Sequence, residues 1–136
     1  MDDLIRRLKV DFPDFCFRKG RKFAFRPPRT IIVEGDDGPY ASLLLLHEVG
    51  HAVAMHRNFD TDAERLKMER EAWEKARELC KKYQISYDEE VVERELDTYR
   101  DWLDQKSRCP KCGLTRFQTP DGQYHCPRCE TFRQLS

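Results

Sequence analysis

The sequence has no apolar run near the roughly 20 residues that a membrane-spanning helix needs, which excludes that class. Its start, Met1-Asp2-Asp3-Leu4, lacks the basic-then-apolar order of a secretory signal, so the expected location is the cytoplasm. No internal repeat and no low-complexity segment is present, which excludes a repeat array or a long flexible tail. Neither sign of charge is in excess: the formal net charge is zero, which argues against avid nucleic-acid binding. Apolar residues are scarce as well, at 39% against 37% charged, so any core is thin and a bound metal would help it. The 136 residues allow one modest domain and a small appendage.

The six cysteines are present in a chain expected to meet reducing conditions, where thiols serve as metal ligands or small core residues rather than disulfides. Basic residues mark the N-terminal region (Arg6, Arg7, Lys9, Arg18, Lys19, Arg21, Lys22) and read as solvated surface.

Phe15 to Phe25 alternates aromatic with other residues around Gly20, the pattern of a β-hairpin. Thr30-Ile31-Ile32-Val33-Glu34, bounded by Pro27-Pro28 and by Gly35 to Gly38, predicts a third strand of the same small antiparallel sheet. Asp37 or Gly38 can cap a buried helix that carries Pro39 in its first turn and runs from Ala41 to Met55. A second helix is expected over about Ala63 to Tyr83. A third follows, with Ser86 and Glu89 as its capping box, reaching about Lys106.

Inside the first of these helices stands His47-Glu48-Val49-Gly50-His51. Histidines four apart project from one helix face and can hold one zinc ion, while Glu48, offset by one residue, can reach a water at the metal without being a ligand. Two histidines and a carboxylate in a helix that also holds Leu43-Leu44-Leu45-Leu46 would be costly to bury without a metal.

A catalytic zinc site needs a third protein ligand. On the next helix Leu66, Trp73, Ala76, Cys80 and Tyr83 form the apolar stripe with Glu69 at its centre, whereas Glu71, Glu74 and Glu78 fall opposite and read as solvated charges. Glu69 is therefore the expected ligand; the alternative is a buried salt bridge to Arg6 or Arg100. His56 is the rival third ligand: on a continuous helix it projects about half a turn away from His47 and His51 and could bind only if the helix ended early, so it reads as a surface or helix-end histidine.

Cys109-Pro110-Lys111-Cys112 and Cys126-Pro127-Arg128-Cys129 are two matched knuckles able to close a four-thiolate structural zinc site, with a turn at Pro120-Asp121-Gly122 between short strands. Lys106, Arg108, Lys111, Arg116, Arg128 and Arg133 outnumber Asp121 and Glu130 there, which would suit nucleic acid or an acidic partner; a plain scaffold that packs on the preceding domain is equally consistent. Cys16 and Cys80 lack spaced partners and read as core residues.

The strand-rich start, the His47-Glu48-Val49-Gly50-His51 helix and Glu69-Arg70-Glu71-Ala72 on the next helix resemble the ImmA/IrrE family of zinc peptidases over roughly residues 15–83. Trp73 departs from the family, which usually has a polar residue there. The resemblance implies a zincin-like fold, zinc and proteolysis, with transcriptional repressors as the kind of protein such enzymes cleave. The expected fold is thus α+β. A small antiparallel sheet followed by three helices fills residues 1–106, and a zinc-ribbon hairpin fills residues 107–136. The expected function is zinc-dependent hydrolysis of peptide bonds in a protein substrate, using one catalytic and one structural zinc. Two alternatives remain: a nucleic-acid or protein binding module with an inactive HExxH helix, or a DNA-associated peptidase like the SprT-like proteins, whose third ligand is a histidine.

Overall fold

The computed structural model describes residues 1–35 and 38–130. The fold is α+β, and the chain divides into two compact units: Met1–Arg57 with Met68–Glu89, and Asn58–Lys67 with the described chain from Glu90 onward. Among the described residues no helix is long and apolar enough to cross a membrane.

The first unit opens with a helix that the sequence reading did not anticipate, α1 (Asp2–Asp11), so the described residues hold four helices where three were expected. Leu4 and Leu8, one turn apart, supply its buried face. Asp2 and Asp3 in the first turn and Lys9 in the last complement the helix dipole. The far end of α1 is tied down by Tyr83, whose hydroxyl donates to Asp11 Oδ2 at 2.6 Å.

Strands β1 (Cys16–Gly20), β2 (Ala24–Arg26) and β3 (Thr30–Glu34) form one sheet in the order β1-β3-β2. This corrects the expected hairpin and the expected all-antiparallel sheet: β1 does not pair with β2, and β3 lies between them, parallel to β1 and antiparallel to β2. The reason is hydrophobicity. A central strand is covered on both faces, and Ile31, Ile32 and Val33 are all buried, whereas Arg18, Lys19 and Gly20 of β1 are exposed and suit an edge. Cys16, expected in the core, is exposed for the same reason, while Cys80 is buried as expected.

Helix α2 (Ala41–Val53) packs on β2 and β3 and is buried along most of its length, including Leu43, Leu45, Leu46 and Val49. It begins at Ala41, two residues past Pro39, with Tyr40 at the N-cap and no side-chain cap. Asp37, one of the two expected caps, lies outside the described residues; the carbonyl of Gly38 accepts the Ala41 N–H at 3.1 Å.

The C-terminus of α2 shapes the site. The helix stops at Val53, earlier than expected, because Met55 adopts a left-handed conformation with φ 57°. The Met55 N–H then bonds to the Ala52 carbonyl and the His56 N–H to the His51 carbonyl, each at 3.1 Å, the paired closure of a Schellman motif. A non-glycine residue pays about 1 kcal/mol for that conformation, and Met55 is exposed, with its side chain making no core contribution. Met55→Gly is expected to stabilise the protein by about 0.5–1 kcal/mol in denaturant unfolding. An unchanged or lower midpoint would mean that the methionine side chain contributes packing that offsets the strain.

Helix α3 (Asp62–Tyr83) starts in the second unit and continues through the first, where Ala72, Trp73, Ala76, Leu79, Cys80 and Tyr83 form its buried stripe. It closes on Gln84, again left-handed at φ 57°. Helix α4 (Glu89–Ser107) follows Asp88, so Ser86 is not at its N-cap, and Glu89 pairs with Arg77 at 3.1 Å instead. In the second unit Val91, Val92 and Leu96 are buried on α4. The antiparallel hairpin of β4 (Phe117–Gln118) and β5 (Tyr124–His125) turns through Gly122 at φ 88°, a backbone angle that favours glycine.

Candidate metal centres

Among the described residues two groups of side chains converge closely enough to hold a metal ion. The first is His47, His51 and Glu69 in the first unit, with ligand atoms all within 4.8 Å of one another. Helical spacing puts both imidazoles on one face of α2, and their Nε2 atoms meet the two oxygens of Glu69: His47 Nε2 to Oε2 at 2.9 Å and His51 Nε2 to Oε1 at 3.2 Å. Donors about 2.0–2.2 Å from one zinc ion in tetrahedral geometry stand roughly 3.3 Å apart, so these separations fit one ion and leave a fourth position for a water or substrate. Glu69 pairs with neither of the arginines considered for it; Arg6 bonds Asp3, and Arg100 bonds Glu93 and Asp97.

The electrostatics agree with that donor set. Burial pushes the Glu69 carboxyl up, but hydrogen bonds from His47 and His51 outweigh it and hold the group ionised well below the usual carboxylate range. Glu48 sits apart from the three donors, with its Oε1 3.7 Å from His47 Nδ1, and its side chain is 15% exposed. Burial raises its pKa above the ordinary value against the opposing pull of His47 and His51.

What brings α3 close enough to deliver Glu69 is Gly50, the fourth residue of the motif. A Cβ added there would overlap the backbone carbonyl oxygen of Ala72 and lie 3.2 Å from its carbon, so the two helices touch backbone to backbone at this level. Ala72, three residues beyond Glu69, is itself buried at that crossing.

Three neighbours were not legible as parts of this site. Trp73 stacks on His47 with ring centroids 4.0 Å apart and planes 2° from parallel, and its buried indole N–H has no hydrogen-bond partner among the described residues. His56, read as a helix-end histidine, is buried, with Nδ1 2.9 Å from His51 Nδ1. Glu71, read as a solvated charge, has Oε2 2.9 Å from His56 Nε2, although its side chain remains 42% exposed. The physical reason is Met55: a helical wheel carried past Val53 points His56 elsewhere, whereas the left-handed turn folds it back onto the last turn of α2.

The second group is Cys109, Cys112, Cys126 and Cys129 in the second unit. Cys109 and Cys129 sulfurs are 3.8 Å apart and those of Cys112 and Cys126 3.5 Å. Four thiolates about 2.3 Å from a tetrahedral zinc would be separated by about 3.8 Å. The backbone N–H groups of Cys112 and Lys111 hold the Cys109 thiol down to about 6, and the Cys129 N–H lowers Cys126. Cys129 is instead pushed up to about 12, chiefly by its hydrogen bond with the Cys109 sulfur, since four neighbouring sulfurs cannot all ionise without a cation between them. Gly113, at φ 76°, closes the first knuckle by donating to the Cys109 carbonyl at 2.9 Å. Arg133, one of the basic residues noted near the knuckles, lies outside the described residues, as does the rest of 131–136.

Comparison of the chain with protein-family models, with curated proteins and with solved structures finds no match in any of the three.

Proposed function

We propose that this chain is a zinc-dependent metallopeptidase of zincin-like architecture, resembling the ImmA/IrrE peptidases, with a second, structural zinc at the four cysteines. The observation that carries the reading is the meeting of two imidazole Nε2 atoms with both oxygens of a buried carboxylate, beside a second, partly buried carboxylate that is not among the donors. Two histidines and a glutamate with one position open match a hydrolytic zinc site, whereas four thiolates leave no position open and suit a structural one. A carboxylate as third donor supports the ImmA/IrrE-like reading over the SprT-like one, which uses a third histidine.

His47, His51 and Glu69 would hold a zinc ion, which when bound would supply Lewis acidity toward a carbonyl and a more acidic water near neutral pH. Glu48 would accept a proton from the attacking water as its oxygen bonds to the carbonyl carbon, and would return it to the amine nitrogen as the C–N bond breaks. The raised pKa of Glu48 serves both halves of this cycle, since a carboxylate too acidic would not hold the proton long enough to pass it on. Trp73 keeps the His47 ring in one plane by stacking against it. The substrate is a protein or peptide; a regulatory protein is the class that the family resemblance favours. Near the cysteine knuckles Lys111 and Arg128 are exposed and are the basic residues that a nucleic acid or an acidic partner would meet, whereas Lys106 and Arg108 are paired with Asp62 and Asp104.

Glu48→Gln is expected to keep the metal at the histidine–glutamate centre while lowering hydrolysis of a quenched-fluorescent peptide library by at least about a hundredfold, the usual effect of removing a general base. Metal content is read by mass spectrometry on the same preparations. A metallated parent protein that cleaves neither the library nor unfolded casein would sink the peptidase reading and leave a binding module.

A further inference from the structure

We propose that His56 and Glu71 form a positioning pair that orients the metal ligand His51 and fixes its tautomer. The inference rests on the metal centre described above and adds two residues to it. His51 Nε2 faces Glu69; when a metal takes the place of the Nε2 proton that hydrogen-bonds to that carboxylate, the nitrogen presents a lone pair and the ring proton sits on Nδ1. His56 Nδ1, 2.9 Å away, then has to accept it. The proton of His56 is thereby placed on Nε2, where it is donated to Glu71 Oε2 at 2.9 Å.

The reverse order fails. With the His56 proton on Nδ1, the lone pair of Nε2 would oppose the lone pairs of the Glu71 carboxylate, an arrangement worth avoiding in a partly buried site. Reading from Glu71 inward, each hydrogen bond therefore dictates the next, and the chain ends by presenting an unprotonated Nε2 to the metal position. Carboxylates commonly orient metal-binding histidines directly; here a second imidazole is interposed.

The backbone makes the arrangement rigid. His56 is tied twice to His51, by its N–H to the His51 carbonyl at 3.1 Å and by its ring to the His51 ring. The two rings stand 5.1 Å apart at 64°, and Phe25 lies parallel to His51 on another side, 6.1 Å between centroids. The two ligands on α2 are thus held differently: His47 by stacking on Trp73, and His51 by the hydrogen-bond chain.

Competition with a chromophoric chelator measures metal affinity in the full-length protein, and the visible spectrum of its cobalt form reports coordination geometry. His56→Phe keeps a ring but removes both nitrogens, and is expected to weaken the histidine–glutamate centre by about tenfold to a hundredfold and alter its cobalt d–d bands. Thiolate-to-cobalt charge-transfer bands from the cysteine centre should not move. Glu71→Leu is expected to act like His56→Phe, whereas Glu71→Gln retains an oxygen that can accept from His56 Nε2 and should stay close to the parent. A purely structural role would not distinguish leucine from glutamine by affinity and spectrum. If His56→Phe does not fold, the half-exposed Glu71 pair of variants carries the test. Parent-like affinity and spectrum in both His56→Phe and Glu71→Leu would overturn the proposal. A parent protein that binds metal only through thiolates would overturn the metal-centre reading and this one with it, and that outcome shows in the parent rather than in a variant.

Discussion

Gly50→Ala is expected to destabilise the first unit by about 1–3 kcal/mol or more and to weaken metal binding by His47, His51 and Glu69 together. Helix propensity alone argues the other way, since alanine in a helix interior is favoured over glycine by about 1 kcal/mol. Sterics decide the sign. The methyl group would overlap the Ala72 carbonyl oxygen, which is fixed backbone and cannot rotate aside, so α2 and α3 must separate. Separation by even a few tenths of an ångström lengthens the contacts of 2.9 and 3.2 Å between the imidazoles and Glu69. Denaturant unfolding followed by circular dichroism checks the stability, and chelator competition checks the metal. A Gly50→Ala protein as stable as the parent with unchanged metal affinity would mean that the two helices can part without loss, and that the motif's glycine is incidental.

That crossing also explains how much of the centre was legible. Glu69 could be chosen from its place on the apolar stripe of α3, because a helical wheel holds wherever the helix is continuous, and α3 is continuous across the whole stripe. His56 and Glu71 could not, because their contact depends on a left-handed residue, and Met55 carries none of the usual glycine or asparagine signal for one. The helix α1 was within reach of the same reasoning, as Leu4 and Leu8 are one turn apart with acids before and a base after. Strand order was not. Alternation shows where strands are, but which strand lies in the middle depends on which face of each is covered, and that is a property of the packed unit. The cysteine knuckles needed no such context, since four thiols in two matched pairs report their site through spacing alone.

Cys112→Ser should have the largest effect of all on local structure: loss of ordered structure over the cysteine knuckles and the β4–β5 hairpin, with one equivalent of metal lost. The hairpin pairs only Phe117 with His125 and Gln118 with Tyr124, and Leu114 and Phe117 are substantially exposed, so apolar burial contributes little to its stability. One protein anchor of the hairpin is Asp62, at the start of α3 in the same unit. Burial raises the pKa of that carboxyl, but hydrogen bonds from Tyr124 at 2.7 Å and Lys106 at 2.9 Å outweigh it and keep the group ionised. The Asp62 N–H donates in turn to Gln118 Oε1 at 2.6 Å. Such hydrogen bonds are worth about 1.5–3 kcal/mol each when charged and less when neutral, against about 10–16 kcal/mol for a structural zinc on thiolates. The metal term dominates, and a serine hydroxyl, which does not ionise near neutral pH, cannot replace the lost thiolate. Amide NMR spectra should therefore lose dispersion for residues 109–130 while signals of α2 and the β1–β3 sheet persist. Metal should remain at His47, His51 and Glu69. If the histidine–glutamate centre emptied as well, the two units would have to share their folding free energy; if the hairpin stayed ordered, the Asp62 hydrogen bonds rather than the metal would be holding it.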